Sequence, residues 1–438
     1  MDHAVALIAK YFSLSGDELI IGGVSVGDIV ARYGTPLFVY DRSIIDQKID
    51  LLRETLPARF EIYYSVKANP NPAILRHFLD KGCGLEIASG GELHLALSAG
   101  CAPERILFAG PGKTEAELDL ALGHDIGEIH VESLLEAERI GKICGRLGKM
   151  ARVALRVNPR GDAQGGAMRM GGKPAPFGVD EEIIDGVLDR LLADSHIDFR
   201  GIHLFAGTQI LDYTVLVNQY RKGLEIARRV SNRVNRPLHT IDFGGGLGIP
   251  YFPGEEELNM QKLRTGLAEL FGEIEADSQF EKTKFVVEPG RHLIGEAGIY
   301  VTRVTDVKIS RGKKFLIVDG GMNHHLAASG NLGQVIKRNF PIAVLNKCQS
   351  RSAETVDVVG PLCTPLDTLA RDVALPSCEV GDVVGIFQSG AYARTASPLG
   401  FLSHPTPAEV LLENGQMHLI RRRGNFLDLL GDIPCDLQ

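Results

Sequence analysis

A strand, a helix and a second strand are predicted by residues 60–91, FEIYYSVKANPNPAILRHFLDKGCGLEIASGG. Apolar runs form its two ends, and an amphipathic stretch lies between them. The same alternation continues along the chain, with further apolar runs at 105–112, 128–133, 152–159, 199–208, 239–246 and 284–291. Eight such runs alternating with helices favour a (β/α)8 barrel of the TIM type, and a doubly wound open sheet is the alternative.

The pattern changes after residue 291. Segments such as GIYVTRVTDVKIS (298–310) and AEVLLENGQMHLIRR (408–422) are strand-like and have few helices between them. They predict a C-terminal all-β domain, and we expect the early run DELIIGGVS (17–25) to pair with it as an N-terminal strand. The predicted domains are therefore a barrel at 42–291 and a discontinuous β-domain at 1–41 and 292–438.

Composition excludes several classes of protein. The chain has 438 residues, of which 44% are hydrophobic and 23% charged, which excludes a disordered chain and a coiled coil. Lys and Arg total 47 and Asp and Glu total 55, so the net charge of −8 disfavours nucleic acid as a partner. No apolar run is long enough to cross a membrane, and no signal peptide precedes the first strand. Seven dispersed cysteines without a CxxC pair indicate reduced thiols and a cytoplasmic location.

In a barrel of this kind the functional residues lie at the carboxyl ends of the strands. Charged, polar and glycine residues converge there: Lys67, Ser89, Glu92, Arg156, Thr208, Gly244, Gly245, Gly246, Glu288 and Arg291. At this end, burial and neighbouring cations would lower the pKa of Lys67 and free an amine for Schiff-base chemistry. A lysine that simply extends into solvent is the alternative. Glu288 and Arg291 would bind a ring N–H and an anion, or form a structural ion pair.

Three further motifs can be interpreted in more than one way or give no clear prediction of a site. The run 244–246 predicts either a phosphate site or a tight turn, and its spacing is not that of a dinucleotide-binding motif because position 249 is Ile249. Cys363, in GPLCTPLD, is either a thiol presented by a constrained loop or a buried apolar residue. His324 and His325 have no carboxylate or thiol at ligand spacing, so no metal site is predicted.

Taken in order, many motifs of this chain resemble those of one family, the fold type III decarboxylases that use pyridoxal 5′-phosphate (PLP). The motifs are YYSVKANPNP, GLEIASGGEL, FAGPGKT, LRVNP, GIHLFAGTQI, DFGGGLGIPY, VVEPGRHL, VDGGM, GPLCTPLD, QSGAY and HPTPAEVL. The family contains diaminopimelate, ornithine and arginine decarboxylases. The resemblance runs from about Pro36 to Val410, and it implies an alanine racemase-like barrel with a β-domain and a PLP-dependent carboxy-lyase of amino-acid metabolism.

The resemblance also implies roles for single residues. Lys67 would carry PLP as a Schiff base and lose it to the substrate amine, and Glu288 would pair with the pyridine nitrogen. The phosphate would be surrounded by Gly244 to Gly246, Arg291, Thr208 and Tyr392, while Glu86, Glu92 and Arg156 would lie near the ring and the lysine. Cys363 would reach the active site from the partner subunit of a homodimer and donate a proton after CO2 leaves. A glutamate at the pyridine nitrogen supports decarboxylation, whereas an arginine there would indicate a racemase.

The chain departs from the family pattern at positions that bear on the substrate. Where the family has a histidine stacked on the PLP ring this chain has Phe205, and His203 lies two residues earlier. After the cysteine, diaminopimelate and ornithine decarboxylases have an acid that holds a distal ammonium, but here Thr364 follows. A neutral threonine cannot offset the burial of an ammonium. We expect Arg291, Thr364, Asp367 and Tyr392 to contact the substrate.

The segments CTPxD and HHLAASGN resemble a subgroup that includes the glutamyl-carrier-protein decarboxylase of butirosin synthesis and the decarboxylases associated with the exosortase system. This resemblance implies a specialised or carrier-bound amino acid as the substrate. The alternatives are a diaminopimelate decarboxylase of lysine biosynthesis, an amino-acid racemase, and a regulatory homologue that binds PLP without catalysis.

Overall fold

The computed structural model of the protein describes residues 3–160, 168–169, 174–205, 207–334, 336–350 and 354–434. The chain forms two compact units. The barrel unit contains Ile49–Ile249 and Glu256–His292, and the β unit contains Met1–Lys48, Pro250–Glu255 and Leu293–Gln438. The segment Pro250–Glu255 thus lies inside the predicted barrel range but groups with the β unit.

The barrel unit contains eight parallel strands, each paired with the next one in chain order. They are β1 (Phe60–Ser65), β2 (Gly84–Ile87), β3 (Ile106–Phe108), β4 (Glu128–Val131), β5 (Ala151–Asn158), β6 (Ile197–Leu204), β7 (Thr240–Asp242) and β8 (Lys284–Val287). The last strand pairs with the first through Phe285 and Phe60, which closes the sheet into a barrel. The predicted eight-stranded barrel is confirmed. A short strand, Val179–Asp180, adds to β5.

A helix follows each strand. The helices are α1 (Pro72–Asp80), α2 (Gly90–Ser98), α3 (Glu115–Gly123), α4 (Leu134–Leu147), α5 (Ile184–Ala193), α6 (Tyr213–Val234), α7 (Met260–Gly272) and α8 (Arg291–Ile294). Ser89 and Ser133 each accept the first-turn N–H of the helix that follows them. Thr114 and Glu117 form a reciprocal capping box at the start of α3. These caps start α2, α3 and α4 soon after their strands, so the loops that join them lie at the carboxyl end of the barrel.

Side chains alternate between two faces of each barrel strand. In β4, Glu128 and His130 share one face, while Ile129 and Val131 share the other. Both faces are buried, because helices cover the outside of the barrel and the inside is filled by side chains. A polar pair on a buried face is unusual, and it indicates that the barrel interior contains a set of paired polar groups.

The β unit contains a nine-stranded sheet. Seven strands follow one another in the order Thr368–Leu375, Glu354–Val359, Lys313–Val318, Gly298–Ser310, Leu37–Asp41, Ala408–Glu413 and Gln416–Arg421. Ile342–Val344 pairs with Val383–Ile386, which in turn pairs with Gly298–Ser310. The predicted β-rich domain, completed by a strand from the N-terminal part of the chain, is confirmed.

The strand that completes the sheet is not the expected one. Leu37–Asp41 pairs with both Gly298–Ser310 and Ala408–Glu413. The predicted run 17–25 instead forms a small antiparallel sheet from Ser13–Ser15, Glu18–Ile21 and Val24–Ser25. Gly22 and Gly23 have φ of 55° and 85°, and these glycines reverse the chain so that the run pairs with itself.

Three helices precede the barrel strands: His3–Tyr11, Val26–Tyr33 and Arg42–Thr55. In Val26–Tyr33 the N-cap Ser25 accepts the N–H of Asp28. Among the residues that the structure describes, no helix combines the length and the hydropathy needed to cross a membrane.

Candidate active site

Lys67 lies just beyond the carboxyl end of β1, in the single turn of 3-10 helix Val66–Ala68. Its Nζ lies 3.1 Å from Oε2 of Glu86, which is at the neighbouring position of β2, and Ser65 donates to the same oxygen at 2.5 Å. The Lys67 side chain is 43% exposed and that of Glu86 only 1%. The neighbour that the structure shows is a carboxylate, whereas the sequence analysis expected neighbouring cations at this lysine. A solvent-accessible amine is held in place by a buried partner.

Glu92 lies in the first turn of α2, near this pair. Its Oε2 accepts the N–H of Ala88 at 2.7 Å. Burial, together with the negative charge of Glu86, raises the pKa of Glu92 to about 7, although the N–H of Ala88 opposes the shift. Glu92 is therefore present in both protonation states near neutral pH, and the charge of Lys67 also opposes the upward shift of its pKa.

Arg156, on β5, is held by an acid that the sequence analysis did not single out. Its Nη1 lies 2.6 Å from Oε1 of Glu132, which follows β4. The N–H groups of Gly110 and Gly178 also donate to Glu132. Burial raises the pKa of Glu132, but Arg156, the N–H of Gly178 and the charge of Lys113 outweigh it and the net shift is downward. The guanidinium carbon of Arg156 lies 6.0 Å from the centre of the Phe205 ring, so a fixed cation lies along this aromatic side chain.

The glycine run after β7 is packed so closely that side chains are excluded. A Cβ on Gly244 would lie 2.6 Å from the carbonyl oxygen of Leu204, and one on Gly245 would lie 2.5 Å from that of Glu288. Gly246 has φ of 104°, and its carbonyl accepts the N–H of Ile210 at 2.9 Å. The run therefore presents bare backbone between the ends of β6 and β8. Thr208 lies beside it, in the short strand Gly207–Thr208.

Glu288 directly follows β8, and its side chain faces two histidines. His203 Nε2 lies 3.4 Å from Oε2, and His130 Nδ1 lies 3.8 Å from Oε1. Glu288 Oε1 is buried and makes no hydrogen bond to protein, and neither ring nitrogen of His203 makes one. Burial and the neighbouring His130 lower the pKa of His203 well below its ordinary value, so the ring is neutral. A buried carboxylate oxygen without a donor is suited to a ligand that brings an N–H.

The chemistry of these groups fits PLP. Lys67 offers an amine, Glu288 a carboxylate oxygen for a pyridinium N–H, and the glycine run a backbone surface for phosphate. Arg291 begins α8, three residues after Glu288, and adds a cation of the kind that binds phosphate. The predicted residues Lys67, Glu86, Glu92, Arg156, Phe205, Thr208, Gly244, Gly245, Gly246, Glu288 and Arg291 all belong to the barrel unit.

The remaining predicted residues, Cys363, Thr364, Asp367 and Tyr392, belong to the β unit. Cys363 is an exposed free thiol. Asp367 is 2% exposed, and its carboxylate accepts the N–H of Met322 at 2.6 Å and that of Leu362 at 2.9 Å. These bonds fix the loop on either side of Cys363, and they leave Asp367 facing the protein interior. Tyr392 has φ of 53° and is partly buried.

Comparison with known proteins supports the same chemistry. The family model described as "Pyridoxal-dependent decarboxylase, pyridoxal binding domain" matches residues 42–295. The L-glutamyl-[BtrI acyl-carrier protein] decarboxylase of Niallia circulans is 39% identical over 405 residues, which cover 92% of this chain and 94% of that protein. The diaminopimelate decarboxylase of Aquifex aeolicus is 35% identical over 420 residues, with coverage of 95% and 96%.

A solved structure shows the same fold over nearly the whole chain. The diaminopimelate decarboxylase of M. jannaschii in complex with L-lysine is similar to this structure with a TM-score of 0.88 at 26% identity. The match covers 97% of this chain and 98% of that one. Both units are therefore shared with that enzyme.

Proposed function

Because the chain belongs to the family of pyridoxal-dependent decarboxylases, we propose that it decarboxylates a specialised amino acid that is attached to a carrier protein. The family assignment gives the reaction, loss of a carboxylate as CO2, and the cofactor, PLP. Thr364 is the observation that carries the choice of substrate, because a neutral residue follows the cysteine where a substrate with a distal ammonium needs an acid. The Niallia circulans relative, which is named for a carrier-bound glutamyl substrate, supports this choice.

When PLP is bound, it supplies an aldehyde for the substrate amine and a ring that accepts the electron pair left by CO2. Lys67 is the amine that would hold it, with Glu86 orienting the Nζ. Glu288 would keep a proton at the pyridine nitrogen and so make the ring a stronger electron acceptor. The N–H groups of Gly244 to Gly246, with Arg291, Thr208 and Tyr392, would bind the phosphate.

Two side chains would move protons and one would not. Glu92, with a pKa of about 7, would exchange a proton with Lys67 when the lysine leaves and returns. Cys363 would protonate the substrate carbon after CO2 leaves. Phe205 would stack on the ring, a role that an apolar face fulfils without relaying protons.

A carrier-bound substrate fits this chemistry only in one orientation. The α-amine must be free to react and the α-carboxylate must be free to leave, so the carrier must be joined to the side chain. A glutamyl side chain joined in this way ends in a neutral acyl group, not in an ammonium. Thr364 matches a neutral acyl group, which needs no counter-charge.

The assembly that we propose is a cytoplasmic homodimer in which Cys363 serves the active site of the partner subunit. The family resemblance supports the dimer, and the free thiols of the described cysteines fit a reducing compartment. Asp367, whose carboxylate is taken up by backbone N–H groups, would act on the substrate through the shape of the Cys363 loop.

The substrate is tested by CO2 release from PLP-loaded protein. The panel contains an acyl-carrier protein with glutamate joined through its side chain, free L-glutamate, meso-diaminopimelate and L-ornithine. We expect release from the carrier-bound substrate, with the Lys67→Ala protein as the inactive control. Faster release from meso-diaminopimelate would instead support a diaminopimelate decarboxylase, the second candidate that the Aquifex aeolicus relative favours.

The shared active site is tested by mixing two inactive variants. Lys67→Ala and Cys363→Ala subunits, unfolded together and refolded, would form mixed dimers with one intact site. Random pairing restores about a quarter of the wild-type activity. If the mixture is as inactive as its components, Cys363 does not act across a subunit interface.

A further inference from the structure

An exposed apolar surface adjoins the loop that carries Cys363, and the proposed mechanism makes no use of it. The side chains of Leu332, Ile336 and Leu366 are 41%, 79% and 48% exposed, and all three belong to the β unit. Exposure of apolar side chains to water costs free energy. Where several of them lie together inside a polar rim, they mark a surface that binds another molecule.

The hydrogen bonds of Asn331 bring the segments that carry these side chains together. Asn331, next to Leu332 in the chain, donates from Nδ2 to the carbonyl oxygen of Leu366 at 3.1 Å. Lys337, next to Ile336, donates from Nζ to Oδ1 of the same amide at 2.6 Å. The apolar side chains and the ammonium of Lys337 therefore belong to one surface beside the Cys363 loop.

Cations form the rim of this surface. Neither Lys337 nor Arg371 forms an ion pair with any residue that the structure describes. Asn339 places Arg371 at the rim, because its amide donates to the carbonyl oxygen of Arg371 at 2.7 Å and accepts the N–H of Arg371 at 2.9 Å. Arg338 precedes Asn339; its side chain is half exposed, and its Nη1 lies 3.2 Å from Oε1 of Glu255. The rim thus has three cations, one of them in a surface ion pair.

The nearby acids do not cancel this charge. Asp367 accepts two backbone N–H groups inside the protein, and Asp372 lies 3.0 Å from Nζ of Lys313. The segments 331–339 and 364–372 contain no other acid. The surface is therefore locally basic in a chain whose net charge is −8, and it complements an anionic partner.

We propose that the surface binds the carrier protein to which the substrate is joined, with Lys337 at the anionic phosphodiester of the carrier's pantetheine arm. This docking surface consists of Leu332, Ile336, Lys337, Arg338, Leu366 and Arg371. The inference rests on the proposed function, because it needs a carrier-bound substrate. Charge complementarity favours this partner, and so does the position of the surface beside the loop whose thiol would protonate the product.

The length of the arm agrees with this position. About 17 bonds join the phosphorus of the arm to the α-carbon of a glutamyl group at its end, and they span roughly 20 Å, since three backbone bonds span at most about 3.6 Å. Leu366 lies three residues after Cys363, so their Cα atoms are at most about 11 Å apart. The two hydrogen bonds through Asn331 add 3.1 and 2.6 Å. An arm held at Lys337 can therefore bring the α-carbon to the site that Cys363 serves.

Charged residues introduced into the docking surface test the inference. The variants are Lys337→Glu, Arg371→Glu and Ile336→Glu. Lys142→Glu in α4 and Leu419→Glu are the matched controls, at exposed positions. Lys142→Glu changes the net charge by the same amount as Lys337→Glu, so it corrects for the field of the whole protein. Leu419 lies on the strand at the opposite edge of the sheet from Arg371.

The measurement is kcat/KM for CO2 release by PLP-loaded protein. The substrates have glutamate joined through its side chain to pantetheine, to phosphopantetheine or to an acyl-carrier protein. We expect the wild type and the controls to prefer the carrier-bound substrate over the pantetheine thioester by at least about tenfold, and added salt should reduce this preference. All proteins should act equally on the pantetheine thioester.

The three variants should differ in which substrates they affect. Lys337→Glu should lower kcat/KM about tenfold for both substrates that contain the phosphodiester. Arg371→Glu and Ile336→Glu should lower it only for the carrier-bound substrate. Melting temperatures should stay unchanged, because all three side chains are exposed.

Three outcomes would overturn the docking surface and leave the proposed function intact. The first is CO2 release from the thioesters with the same kcat/KM in variants and controls. The second is an equal loss with all three substrates, which would mean that the variants act through Asn331 on the Cys363 loop. The third is dissociation of the dimer in Arg371→Glu or Ile336→Glu, measured by sedimentation, which would make the surface a subunit interface.

A lack of CO2 release from every thioester would contradict the proposed function instead. Binding of a fluorescently labelled acyl-carrier protein that bears the glutamyl group would then decide the inference separately. Weaker binding to the three variants than to the two controls would support the docking surface. Equal binding to all proteins, or none to the wild type, would overturn it.

Discussion

The carboxyl end of the barrel and the loop that carries Cys363 (360–367) hold their functional side chains in different ways. At the barrel end, Lys67 and Arg156 are each held by a buried carboxylate, Glu86 and Glu132. In the Cys363 loop the partners are mostly backbone groups, and the carboxylate of Asp367 accepts two N–H groups. Charged pairs fix the first region, and hydrogen bonds to the chain itself fix the second.

This difference indicates where the protein can change without loss of its chemistry. Replacing Arg156 leaves the buried carboxylate of Glu132 unbalanced, which typically costs about 3–5 kcal/mol for a pair buried on both sides. Replacing Thr364 leaves the bonds of Asp367 intact. The region that would hold PLP is therefore constrained, and the loop is free to vary with the substrate.

The largest expected effect is at the barrel end. Lys67→Ala removes the amine that would hold PLP, and we expect activity to fall by at least about 10³-fold. The absorbance band of the covalently held cofactor should disappear. Lys142→Ala, at an exposed position of α4, is the matched control and should retain both. A retained band in Lys67→Ala would remove Lys67 from its proposed role and with it the contrast between the two regions.

The next largest effect is in the Cys363 loop. In Cys363→Ala the thiol that would protonate the product is lost, so turnover should fall about 10²-fold. The absorbance of bound PLP should stay unchanged, because the region that would hold PLP is intact. Unchanged turnover would show that the proton comes from another group, and the loop would then be a structural feature only.

A smaller effect, on kcat/KM for L-ornithine, tests whether the Cys363 loop determines substrate specificity. Thr364→Asp supplies a carboxylate for a distal ammonium, and Asp can still accept the N–H of Leu366 that Thr364 Oγ1 now accepts at 3.3 Å. We expect kcat/KM for L-ornithine to rise about tenfold, the value of one charge-assisted hydrogen bond. Thr364→Asn, which has the same shape without the charge, should give no gain.

The smallest effect is on stability and its dependence on pH. The pKa of Glu92 is raised from 4.5 to about 7, so the folded state binds more protons than the unfolded state between these values. Its contribution to stability therefore declines as pH rises from 4.5 to 7. Glu92→Gln removes this dependence, so the stability of the cofactor-free variant relative to wild type should be about 1 kcal/mol greater at pH 8 than at pH 5. Urea unfolding at both pH values measures it, and parallel stability curves for variant and wild type would contradict it.

The sequence predicted the barrel well because its signal is local. Each strand is a short apolar run, most helices begin at a capping residue such as Ser89 or Thr114, and chain order equals strand order around the barrel. Lys67, the glycine run and Glu288 could be placed at one end for the same reason, since all parallel strands point the same way.

The β unit was less predictable because its pairing is not local. Leu37–Asp41 pairs with strands about 260 and 370 residues later in the chain, and its apolar run resembles any other buried strand. Turn chemistry at Gly22 and Gly23 was the overlooked signal for the run 17–25. His130 and Glu132 were missed because a histidine and an acid at the end of a strand have no distinctive spacing.

The sequence by itself determined the eightfold alternation, the end of the barrel that carries function and, through its ordered motifs, the family and the cofactor. These properties depend on period, capping and strand direction, which are local. Only the tertiary structure decided that Lys67 pairs with the Glu86 carboxylate at 3.1 Å, that Asp367 is turned inward, and that His130 lies between Glu128 and Glu288. Such partners come from different strands, and their distances are set by how the barrel closes and packs.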